Sequence, residues 1–124
     1  MKNYSEMSDQ EINMAVAEVL FPDRDVIESK SRPPCACVIG QFPNKWVDYC
    51  NNPADAWQTI YDNKITLIAC LDGWISCPYG SVIDGDTTES QSVMYVNSWN
   101  KATCFADKNP LRAAMIVFLM MQEK

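Results

Sequence analysis

The segment Leu111–Met121 is apolar at every position except Arg112 and constrains the fold more than any other stretch. Asn109 is a good N-cap and Pro110 suits the first helical position, so a helix is predicted to start there. An amphipathic surface helix carries one apolar stripe, whereas this one is apolar around nearly its whole circumference. It must be covered on several sides, either by a sheet and another helix of the same chain or by a second copy. The second option predicts a homodimer formed through Met115, Phe118 and Met121. Met14, Met115, Met120 and Met121 either fill gaps or offer an adaptable apolar surface.

Two other helices are marked by local chemistry. Ser8 and Glu11 form a capping box, followed by a stripe of Ile12, Val16, Val19 and Leu20 with Ala15 beside it. Phe21-Pro22 ends this helix, because the residue before proline avoids helical geometry. Asn52 and Pro53 announce the second helix, with Ala54, Trp57, Ile60 and Tyr61 as its apolar stripe and Asn63 as its stop. Trp57 is therefore expected in the core.

Strands are expected around Val26-Ile27 and over Cys35–Ile39, with Pro33-Pro34 stiffening the approach and Trp46-Val47 leading on to Asp48-Tyr49-Cys50. Ile65–Leu71 is apolar on both alternating faces and should be covered on both. Asp72-Gly73 is a hairpin signal, which makes Trp74–Cys77 the antiparallel partner. Pro78–Ser90 reads as a polar loop. Ser92–Val96 and Lys101–Phe105 read as a second hairpin turning near Ser98–Asn100. The fold class expected is α+β: an antiparallel sheet of about four strands with three helices, in an α-β-α sandwich-like layout. A chain of 124 residues suits one domain spanning 1–124.

Three stretches, Ser8–Ala17, Asp48–Trp57 and Asn109–Met115, together resemble a family of small proteins of tailed phages and prophages of enteric bacteria. That family includes the lambdoid nin-region protein NinX and relatives described as phage α-β-α sandwich domains. The resemblance implies phage origin, a dispensable accessory role and an α-β-α layout. It brings no catalytic residues with it. Pro78–Gln91 and the segment around Cys35 lie outside it.

Composition narrows the chemistry. The chain has no histidine, so no Ser–His or Cys–His pair and no imidazole base is available. A cysteine nucleophile without histidine, or an aspartate-based metal centre, is the remaining route to an enzyme, and catalysis is not expected. Cys35, Cys37, Cys50, Cys70, Cys77 and Cys104 lack the two-to-four-residue pair spacing of zinc sites and read as buried strand residues. A Cys35–Cys37 disulfide would be strained. No metal, catalytic or cofactor-binding residues are assigned, and no cofactor is expected.

The formal net charge of −6, with the basic residues scattered, disfavours direct nucleic-acid binding and favours a protein partner of host or phage origin. No signal pattern or membrane-length apolar run is seen, so no membrane partner is expected and the host bacterial cytoplasm is the expected location. Asp84, Asp86 and Glu89 concentrate charge in one loop. They lack the ligand order of a calcium loop and can form an acidic contact surface or a solvated loop. Trp74 and Trp99 flank turns, where their rings can stack on a base or a partner side chain, or pack across strands. These five residues are the candidate binding set.

The expected function is a non-enzymatic accessory protein that binds a host or phage macromolecule, with counteracting host defence as a candidate role. The alternative is a protein that binds or sequesters a small nucleotide signal, with Lys108, the helix start at Asn109, and Arg112 as its anion site.

Overall fold

The computed structural model describes residues 3–40, 44–78, 83–84, 95–96 and 104–123. After a short turn of 3-10 helix at Tyr4–Glu6, the chain forms α1 (Asp9–Leu20), β1 (Val26–Glu28), β2 (Ala36–Val38), β3 (Lys45–Val47) and α2 (Pro53–Asp62). It continues through β4 (Thr66–Cys70), β5 (Gly73–Cys77), β6 (Ile83–Asp84), β7 (Tyr95–Val96), β8 (Phe105–Asp107) and α3 (Pro110–Gln122).

All three helices begin where their capping residues place them. Ser8 Oγ accepts from the Glu11 amide while the Glu11 carboxylate accepts from the Ser8 amide, completing the box. Asn52 Oδ1 caps the Ala54 amide, and Asn109 Oδ1 caps the amides of Leu111 and Arg112. Asn63 closes α2, donating its side-chain amide to the Thr59 carbonyl.

The strands do not form one four-stranded sheet. Among the described residues they make two antiparallel three-stranded sheets, ordered β1-β2-β3 and β4-β5-β8, plus a β6-β7 ladder. Each sheet covers a different helix. Ala36, Val38 and Val47 are the buried inner face of the first sheet, against which α1 packs. Leu67 and Phe105 of the second sheet pack into the core with α3. Since α1 and α3 also pack on each other, helices stand between the sheets.

The seven residues Ala113–Leu119 are all buried. The second sheet, α1 and α2 surround α3, so the chain's own elements account for its all-round apolarity. Met115 and Phe118 lie inside this core, and Met121 is half-buried against it. Burial of each such large side chain contributes about 1.5–3 kcal/mol, which makes α3 the centre of the fold's stability.

Several expected details move. The buried face of α1 is Ile12, Asn13, Val16 and Ala17, whereas Val19 and Leu20 are exposed. The face of α2 is Ala56, Thr59 and Ile60, and Trp57 is 60% exposed. Ala56 has no room for solvent at all, so α2 uses a small residue to approach α3 and its large ring turns outward.

The β4–β5 hairpin turns at Leu71-Asp72, one residue earlier than expected, because Gly73 already pairs with Cys70. Leu71 is consequently exposed, leaving the expected apolar face of its strand. Glycine is required at position 73: a Cβ there would lie 2.8 Å from the Asp107 carbonyl oxygen of the neighbouring strand. The described parts of the expected second hairpin find other partners. Tyr95-Val96 pairs with Asp84-Ile83, inside the segment expected to be loop, and β8 pairs with β5 with Phe105 opposite Ser76.

Candidate functional site

The N-terminal ends of the three helices are joined by polar side chains. Arg112, in the first turn of α3, is the hub. Its Nε donates to Asp107 Oδ2 at 2.9 Å and its Nη1 to Asp9 Oδ1 at 2.8 Å. Its Nη2 donates to the carbonyls of Met7 at 2.7 Å and Tyr4 at 3.3 Å. The planar fork of arginine suits such divergent acceptors, and the side chain is only 13% exposed.

The circuit continues through Asn51, whose side-chain amide donates to Asp9 Oδ2 and to Asp48. Asp48 Oδ1 also accepts from Asn13 Nδ2 at 2.9 Å, and that amide donates to the Pro34 carbonyl as well. Asn13 Oδ1 accepts from the Cys50 amide at 3.1 Å. The Cys50 carbonyl accepts from Asn109 Nδ2, and the Asn109 amide donates to Asp107, which returns to Arg112. Asp55 Oδ2, in the first turn of α2, accepts from the Asp48 amide.

This ring is drawn almost wholly from the three stretches that carry the sequence resemblance. Their convergence has a physical basis: each helix start supplies a cap, and the carboxylates lie near positive ends of helix dipoles. Asn13 is the member that sequence reasoning missed. An asparagine inside an apolar helix is an unfavourable residue there, and that local conflict was the available signal. The loop partners Asp48 and Asn51 give no such signal.

The ring's polar groups are largely partnered by one another. Within residues 108–112, the Arg112 guanidinium is engaged by two carboxylates and two carbonyls. Burial pushes the Cys50 thiol up, reinforced by the Asp9 carboxylate and opposed by Arg112. Burial also raises the Cys35 thiol, with Asp48 and Asp55 adding to the effect. Thiols held protonated are poor nucleophiles. Of the six cysteines, Cys37, Cys50 and Cys77 are buried and Cys35, Cys70 and Cys104 are half-buried. Among the described residues, no group of three or more potential ligands could hold a metal ion. Nor, among them, is any helix long and apolar enough to cross a membrane.

Of the candidate binding set, Trp74 lies on β5 opposite Asp107, half-buried beside a cleft of about 300 Å³ that Cys70 and Ala106 also line. Asp84 is on β6, opposite Tyr95. Asp86, Glu89 and Trp99 lie outside the described residues.

A second surface emerges on α2. Trp57 and Tyr61, one turn apart, are 60% and 65% exposed, with ring centroids 6.0 Å apart and planes tilted by 47°. They border a groove of about 600 Å³ with Ile60, Ile65 and Leu67 among its apolar lining, and Asp62 and Lys64 beside them. Two large exposed rings over an apolar groove are the kind of surface that proteins use for recognition.

The three converging helix starts and the sheet-flanked α3 define a small α+β protein built around a polar junction. Over residues 3–122 the chain matches the family model described as "Bacteriophage P22, NinX", and it belongs to that family. No curated protein and no solved structure matches it.

Proposed function

We propose that this chain is a non-enzymatic phage accessory protein that binds a protein partner of host or phage origin, in the service of counteracting host defence. Family membership supports the phage accessory role. The observation that carries the binding reading is the exposure of Trp57 and Tyr61 over the α2 groove. Burying both rings would supply the aromatic anchor that dominates many interfaces. The junction of helix starts argues the other way for catalysis, since its polar groups are matched to one another and two of its neighbouring thiols are held protonated. The nucleotide-binding alternative has less support, because its arginine is already engaged.

The test is enrichment from infected cells with tagged wild-type chain and a tagged Trp57→Ala/Tyr61→Ala variant, followed by reconstitution from purified components. A partner that the wild type retains and the variant loses, and that binds directly when purified, supports the reading. An identical set of proteins with both baits overturns it.

A further inference from the structure

We infer that the α2 groove receives an arginine-bearing segment of its protein partner. This rests on the reading that the α2 surface docks a protein, and it specifies the chemistry of the anchor.

Among the described residues, the other large exposed ring already has a guanidinium on it. Arg32 places its guanidinium carbon 4.2 Å from the centroid of Trp46, which is 38% exposed. Lys45 Nζ similarly lies 5.7 Å from the Phe21 ring. Trp57 and Tyr61 are more exposed than Trp46, and the ring contact that they make among the described residues is with each other. Aromatic faces are electronegative, so two rings tilted toward each other form a corner that attracts a cation. Helix α2 contains no basic residue and ends on Asp62. Asp62 belongs to the groove itself, with Oδ1 held by Gln58 Nε2 at 2.8 Å.

Lys64 also lines the groove, so the local charge is mixed. A bare positive charge gains little there, and selection falls to the cation that can stack. A guanidinium is planar and weakly hydrated, and it can cover a ring while donating to a carboxylate; an ammonium is compact and strongly hydrated. The apolar lining, Ile60, Ile65 and Leu67, suits aliphatic neighbours of the arginine. At longer range the net charge of −6 steers basic segments toward the chain.

The experiment titrates the full chain with three acetylated, amidated peptides, Leu-Ala-X-Ala-Leu, in which X is arginine, lysine or the neutral isostere citrulline. The readout is the indole N–H resonance of Trp57, assigned by its disappearance in Trp57→Leu. The arginine peptide is expected to shift this resonance and to bind about tenfold more tightly than the citrulline peptide, with lysine closer to citrulline. Asp62→Asn should narrow that gap severalfold. Equal binding of all three at Trp57 overturns the guanidinium assignment but leaves protein docking at α2 standing. Failure of all three to shift Trp57 also overturns the assignment. The docking reading is judged separately by the paired-bait experiment above.

Discussion

Arg112 and Asp9 form an ion pair of 2.8 Å although they stand 103 positions apart in the chain. The pair closes the polar ring between α1 and α3, and the same guanidinium holds the Tyr4 and Met7 carbonyls that precede α1. Removing the arginine takes its charged donor away from two partly buried carboxylates and two carbonyls, leaving Asp9 to Asn51 and Asp107 to the Asn109 amide. Arg112→Met should therefore cost about 3 kcal/mol in urea unfolding. Arg112→Lys should recover less than half of that, because an ammonium cannot reproduce the fork. A loss below about 0.5 kcal/mol in Arg112→Met would show that the ring does not hold the helices together.

Asn13 is a fully buried polar side chain of the ring. Asn13→Leu should destabilise the fold by about 2–3 kcal/mol, since it strands the Cys50 amide and the Pro34 carbonyl. Thermal unfolding by circular dichroism checks this. A more stable variant would mean that the apolar gain outweighs the lost hydrogen bonds.

The orientation of α2 is tested by two neighbouring truncations. Ile60→Ala should cost about 3 kcal/mol, because Ile60 is 6% exposed and packs in the core. Trp57→Ala should change stability by less than about 0.5 kcal/mol despite deleting the larger side chain. The reverse order in chemical denaturation would put Trp57 back in the core.

Gly73→Ala places a methyl 2.8 Å from the Asp107 carbonyl and should cost about 1–3 kcal/mol through displacement of β8. Hydrogen exchange of the β5–β8 amides should accelerate more than that of the β1–β3 amides.

Cys50 makes a pH prediction. Its thiol is raised above the ordinary value of 9.0, so the folded chain holds that proton more tightly than the unfolded chain does. The resulting stability is fully present below the unfolded thiol's pKa and is lost as pH rises beyond it toward the folded value. Urea midpoints should fall from about pH 9 upward, and Cys50→Ala should flatten part of that slope. Maleimide labelling of Cys50 in the native state should stay far slower than that of free cysteine at pH 8. Rapid labelling would contradict its burial.

Legibility in the sequence followed the range of the interactions. Ser8, Asn52 and Asn109 mark their helices through contacts within a few residues, and all three starts were readable. Which face a helix buries depends on what it meets. Ala56 and Ile60, or Trp57 and Tyr61, fit helical spacing equally well, and the close approach of α3 selected the small residue. Strand number was beyond local reading too. The partner of Phe105 is Ser76, reached across a long connection, and no nearby turn announces it. The ring shows both sides of this: its caps were visible, while the links from Asn13 to Asp48 and from Arg112 to Asp9 exist only once distant segments meet.

The central place of α3 also sets an order of events during translation. Of the described elements it is the last to be synthesised, yet α1, α2 and the second sheet all pack against it. A nascent chain ending before Asn109 would carry Ile12, Val16 and Ile60 with their principal apolar partner absent. Folding is therefore expected to await the emergence of α3 from the ribosome, and until then the emerging chain depends on whatever shields its apolar segments from aggregation.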